Sequence, residues 1–311
     1  PKGHGPFGNP SRVVVGPENK HKVLPLSRGP GEIISPGGVR GRAPVSGGLN
    51  KFFELLHMKK YRGVFLKNDN ELALMKQANH IVFEILNSMG KEVAPCLPTM
   101  HYEEIAQEMC KKYNVRPAFH GYGGFPYALC CSVNEEIVHG FPSSKRILQE
   151  GDIVSFDMGV VVEGFHGDAA RTFAVGKISA DAERLMKVTA ECLELGAAAA
   201  KVGNNLKDVS AAVQKHAEAN GMGIVKRFVG HGIGLRLHEK PEIPNFVSSN
   251  SPDLPLQPGM VLAIEPMLTL GTWEVDILED EWTAVTRDRS LSAHFEHSVA
   301  VTARGPVILD C

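Results

Sequence analysis

One arrangement of residues occurs twice in this 311-residue chain, about 110 positions apart, and it limits the possible folds more than any other feature. Leu74-Met75-Lys76 opens one helical pattern and Leu185-Met186-Lys187 opens another, each followed by a shorter helical segment. Residues 148–157 (LQEGDIVSFD) are then answered by residues 256–265 (LQPGMVLAIE), so each copy ends an apolar strand on a carboxylate. Such a period is far too long for a solenoid. It predicts two helix-helix-strand halves, an α+β chain, whose facing strands bring both carboxylates to one cleft.

The first copy is the more legible. Leu72, Leu74, Met75, Ala78, Ile81, Val82, Ile85 and Leu86 stand at helical spacing over 70–89, with Asn68 or Asn70 as the cap. A second helix is predicted from about Thr99, with Glu103 in its first turn, to Tyr113. The β-branched run 153–162 reads as a strand, and Glu163-Gly164 turns it back into a second strand, 165–175. The shorter helix of the second copy is expected over Asn205 to Asn220.

Residues 1–66 do not share this patterning. They are rich in Pro and Gly, and residues 1–67 carry about twelve Lys or Arg against three Glu. The expected organisation is a basic extension over 1–66 and a folded body over 67–311. The extension is a candidate for ribosomal RNA contact, since phosphate neutralisation needs little else, or for a strap packed on the body. At 43% apolar residues the body can bury a full core without disulfides, and the six cysteines form no C-x-x-C pair. A formal net charge of −2 and the lack of an apolar run of about 18 residues point away from nucleic acid and membrane as default partners. A soluble, monomeric protein is expected, cytoplasmic or in an organellar matrix.

Four carboxylates and a histidine stand where bland residues are the rule. Asp157 lies inside an apolar strand, and Asp168 lies on the returning strand nearly opposite, about 5 Å away if the two share a face. Glu265 and Glu296 sit at the end and the start of apolar runs, and His231 is flanked by glycines that permit close backbone approach. Taken singly, each reads as a strand polar residue or a core histidine. Together they point to divalent metal, because acidic groups are seldom buried unless paired or coordinated. Oxygen ligands with one imidazole suit Mn, Fe, Co or Zn better than a thiolate-rich structural zinc site.

The order His139-Gly-Phe-Pro, Asp157, Gly167-Asp168, Gly230-His231-Gly-Ile-Gly, His238, Ile264-Glu265-Pro-Met and Phe295-Glu296-His closely resembles the type 1 methionine aminopeptidases, from about residue 70 to the end. The resemblance implies a pita-bread fold with a curved antiparallel sheet around a dinuclear centre. Asp157, Asp168, His231, Glu265 and Glu296 would be the ligands, with Asp168 and Glu296 bridging. It further implies removal of the initiator methionine from nascent proteins and peptides with a small second residue, through attack of activated water on the scissile carbonyl. Glu265 would shuttle the proton, His238 would stabilise the oxyanion, and His139 would contact the scissile amide. By the same comparison Tyr122, Phe125, Cys130, Leu237 and Trp282 line the methionine pocket. The chain departs from its relatives at Leu237, where an aromatic is usual, and at Gly159 and Ala169, where Thr is common. Peptidases that cleave before proline are the nearest alternative, and a metal-free binding protein of the same fold is the other.

Overall fold

The computed structural model describes residues 59–249, 251 and 253–310. The proposed ribosome-contacting segment falls almost wholly outside the described residues. Within that segment, residues 59–66 form a two-stranded ribbon, Lys60–Tyr61 against Val64–Phe65, whose Val64 is buried in the core of the body.

The duplication is visible in the strand order. In the first half helices α1 (Asp69–Glu92) and α2 (Met100–Tyr113) precede β1 (Leu129–Val133), β2 (Ile153–Val162) and β3 (Phe165–Ala174), with β2 between β1 and β3. In the second, α3 (Ala180–Ala199) and α4 (Leu206–Ala219) precede β4 (Gly230–Gly232), β5 (Val261–Ile264) and β6 (His297–Thr302), with β5 between β4 and β6. All these pairings are antiparallel. A bridge between Ala170 and Glu296 joins the two sets of strands.

Local chemistry accounts for the element boundaries. The Asn68 side chain accepts from the amides of Asn70 and Glu71, while Glu71 accepts from the Asn68 amide at 2.7 Å, a capping box that starts α1. Asn205 and Asp208 start α4 in the same way. Glu163 and Gly164 both have positive φ, 47° and 91°, as the two-residue hairpin turn between β2 and β3 requires. Leu148 and Leu256, the equivalent residues that open the repeated strand segment, are both fully buried, one in the core of each half.

Two expectations about the strands need correction. The strand expected over 153–162 is present in full, so the first copy carries Asp157 mid-strand rather than at a strand end, because β3 supplies partners along its whole length. Only the second copy stops, at Ile264, where Glu265 is followed by Pro266, which has no amide to extend the ladder. Asp157 and Asp168 are also not directly opposite. Asp157 pairs with Ala170 and Asp168 with Gly159, so the carboxylates are diagonal neighbours on one face, a spacing of about 7–8 Å rather than 5 Å.

A buried ion pair fastens the start of the body to the second half. Lys67 Nζ lies 2.7 Å from Glu239, with both side chains essentially inaccessible. Burial lowers the Lys67 pKa while the Glu239 carboxylate opposes that shift. Removing one partner strands the other charge in the interior. Lys67→Met is therefore expected to cost about 3–5 kcal/mol in urea unfolding, and Lys67→Met with Glu239→Leu to recover most of it.

Candidate functional site

The first carboxylates are held by their backbone. The Asp168 amide donates to Asn79 Oδ1 at 3.1 Å, and Ser298 Oγ donates to the Asp168 carbonyl at 2.9 Å. Asn79 is a fully buried residue of α1 and is itself anchored to the Met75 carbonyl. Gly167 makes this contact possible: a Cβ there would lie 2.6 Å from the backbone of Ala78 and Asn79. Gly159 has a comparable role, since a Cβ would meet the Gly167 carbonyl at 2.7 Å. Where the resemblance treats Gly159 as a lost hydroxyl, the packing gives it a steric reason.

His231 lies on β4 between glycines whose Cβ atoms would collide with neighbouring strands, Gly230 with the Ala263 carbonyl and Gly232 with the Lys240 carbonyl. Its Nδ1 donates to the Gly232 carbonyl at 3.0 Å, which leaves the Nε2 lone pair free. That Nε2 stands 3.7 Å from Asp168 Oδ2 and 3.7 Å from Glu265 Oε1. Glu296 enters from the bridge between the halves, where its amide donates to the Ala170 carbonyl at 2.9 Å. Donor atoms of Asp168, His231 and Glu296 all lie within 4.8 Å of one another.

The electrostatics of this cleft are unfavourable as they stand. Burial raises Asp157 to about 7, with the Glu265 charge adding to the rise, and raises Glu265 to about 8. Burial and mutual repulsion drive Asp168 and Glu296 well above the ordinary carboxylate range. Burial, with smaller effects from other histidines, lowers His139 to about 4 and His231 to about 3, so both rings are neutral near pH 7. Asp157 Oδ1, Asp168 Oδ1 and Glu296 Oε1 are buried with no protein hydrogen-bond partner. Unpartnered anionic oxygens beside a free imidazole lone pair are the donor set of a divalent cation.

The predicted pocket residues converge on the same cleft. Tyr122, Phe125, Cys130, His139, Leu237, His238 and Trp282 line it together with Asp157, Asp168, His231, Glu265 and Glu296. Phe125, Cys130 and Leu237 are buried, and Cys130 sits directly across from Asp157 in the β1–β2 register. Trp282 meets Phe125 edge-on at 5.2 Å and His139 at 6.2 Å. Phe119, Val138 and Phe228 complete the apolar lining and were not legible as pocket residues in the sequence.

His294 was also missed. It is 1% exposed, neither ring nitrogen has a hydrogen-bond partner, and Nε2 lies 3.6 Å from Glu265 Oε2. Its only signal is alternation: two positions before Glu296 on extended backbone, it is a candidate for the same face.

Buried carboxylates and one imidazole, gathered between duplicated antiparallel halves beside an apolar wall, define a metallohydrolase centre. The sequence profile described as metallopeptidase family M24 matches residues 73–303. The chain is 48% identical over 247 residues to a methionine aminopeptidase of Clostridium acetobutylicum, covering 79% of this chain and 98% of that one. It is 49% identical to the Clostridium perfringens methionine aminopeptidase with the same coverage. The crystal structure of the Thermotoga maritima methionine aminopeptidase superposes with a TM-score of 0.78 at 43% identity, covering 79% of this chain and 99% of that one. The chain belongs to metallopeptidase family M24, in the branch of the methionine aminopeptidases, and is a divalent-metal-dependent hydrolase. No helix among the described residues is long and apolar enough to cross a membrane.

These shifts set the pH response of the metal-stripped protein. The raised carboxylates hold protons in the folded state that the unfolded chain has released above about pH 4.5, which favours folding less and less as pH rises through their folded values. The lowered histidines act in the opposite sense, but only below their unfolded value of about 6.5. Between about pH 6.5 and 8 the carboxylates act alone. Stability of the metal-free protein should therefore fall across that window by on the order of 1–3 kcal/mol, measured by urea unfolding, and divalent ion should abolish the slope.

Proposed function

We propose that this chain hydrolyses the peptide bond after an N-terminal methionine in nascent proteins and peptides, preferring a small second residue. Asp157, Asp168, His231, Glu265 and Glu296 would hold a pair of divalent ions. The observation that carries this reading is the meeting of four carboxylates and a neutral His231 in one buried cleft beside an apolar wall. Two divalent ions offset four negative charges, whereas one leaves a net charge of about −2 in the interior, so charge balance favours the pair. When bound, the ions supply Lewis-acid polarisation of the scissile carbonyl and a water nucleophile at neutral pH.

The protein side chains do the rest. The apolar wall of Phe125, Cys130, Leu237 and Trp282 receives the unbranched methionine side chain, which adapts to irregular cavities, and excludes water from the reacting bond. Tyr122, His139 and His238 supply the polar groups of the pocket. His139 holds the scissile amide, His238 stabilises the developing oxyanion with an N–H hydrogen bond, and Glu265 carries the proton from water to the leaving amine. The donor set suits Mn, Co, Fe or Zn.

Metal-stripped protein is expected to release methionine from Met-Ala-Ser only after one of these ions is added back. Asp168→Asn should reduce that rate by about 100-fold or more. Cleavage of Ala-Pro-Ser instead would assign the protein to the peptidases that cut before proline, and no release with any ion would end the reading.

A further inference from the structure

His238 is useful to an oxyanion only if its proton sits on the nitrogen that faces the substrate, and an imidazole with no fixed partner divides its proton between two nitrogens. One contact bears on that choice. Tyr122 Oη lies 2.6 Å from His238 Nδ1, with the ring centroids 5.1 Å apart. A tyrosine phenol keeps its proton at neutral pH and is available to donate it. With Nδ1 as the acceptor, the ring proton sits on Nε2. On its other side the His238 ring packs edge-on against His231 at 4.3 Å, which limits rotation of the imidazole.

The segment that carries Tyr122 is built to place it. Tyr122–Gly124 is a single 3-10 turn, with Gly121, Gly123 and Gly124 all at positive φ, and the Gly121 amide donates to the Phe125 carbonyl at 2.8 Å. Open space surrounds the Cβ positions of Gly121 and Gly124, so these glycines serve backbone conformation rather than close packing. Tyr122 remains 44% exposed. A rim aromatic whose only task was to bury methionine would gain little from a hydroxyl aimed at an imidazole.

We propose that Tyr122 is a positioning residue: by donating to Nδ1 it locks His238 in the Nε2–H tautomer and aims that proton at the substrate carbonyl. This rests on the aminopeptidase reading for its catalytic consequence, but the tautomer itself does not. In long-range proton–nitrogen spectra of the zinc-loaded protein, His238 should carry its proton on Nε2, and Tyr122→Phe should populate both tautomers. With Met-Ala-Ser, Tyr122→Phe should lower kcat by about 10-fold with KM changed by less than about 3-fold, because the ring that meets the substrate is retained. The same substitution in a His238→Ala background should cost nothing further, as expected of two residues acting through one group. An unchanged tautomer in Tyr122→Phe, or an equal kcat loss with and without His238, would overturn the proposal. If no variant and no wild-type protein releases methionine, the aminopeptidase reading fails while the spectra still decide the tautomer.

Discussion

Mutual repulsion among Asp157, Asp168, Glu265 and Glu296 is the constraint around which the rest of the body is arranged. Buried carboxylates this close drive one another's protons on, and three of them keep an oxygen with no protein partner. A cleft of this kind is relieved by protonation or by a cation, so the surrounding protein must present its oxygens in the right places before the cation arrives. That explains why the scaffold grips backbone rather than side chain at this point. Asn79 and Ser298 take the amide and carbonyl of Asp168, and its Oδ1 stays without a protein partner. Glycines 159, 167, 230 and 232 allow elements to approach closely enough for those grips to form.

The duplicated halves contribute unequally. In the first, β2 runs through Asp157 and returns as β3, so two carboxylates come from one rigid hairpin. In the second, β5 stops before Glu265-Pro266, and the proposed ligands come from a strand end, a bridge and a glycine-flanked histidine. The hairpin supplies a fixed floor. The second half supplies His231, Glu265 and Leu237–His238, the groups closest to the proposed proton transfers and to the substrate side chain.

Much of this was legible in the sequence because charge inside an apolar run is a loud signal. Asp157, Glu265 and Glu296 stand out by that rule, and the glycines beside His231 announce close backbone approach, which the collisions at Gly230 and Gly232 bear out. The diagonal placement of Asp157 and Asp168 was misjudged by two positions, although a Glu163-Gly164 turn pairs Gly159, not Asp157, with Asp168. Asn79 and His294 were unreadable for a different reason. A polar residue in a helix core, or one beside a proposed ligand, gains meaning only from a partner far away in sequence, and Asn79 and Asp168 are 89 residues apart. Glu103 shows the same limit: expected as a first-turn carboxylate favoured by the helix dipole, it is buried and accepts from the Ala128 and Leu129 amides at the start of β1.

The two imidazoles show how a protein can use one residue type for opposite tasks within 4.3 Å. His231 gives its Nδ1 proton to a backbone carbonyl and so offers a lone pair toward the carboxylates. His238 faces a phenol at Nδ1, and in the proposed tautomer it offers a proton from Nε2. Neither outcome depends on a charge on the ring, since burial holds His231 neutral and a tyrosine does not ionise near pH 7. Direction is set by the partner of the far nitrogen in both cases. A carbonyl there only accepts and so frees the lone pair of the near nitrogen, while a hydroxyl that donates there leaves the proton on the near nitrogen, so in the proposed arrangement metal site and oxyanion site are divided by groups that touch neither metal nor substrate oxygen.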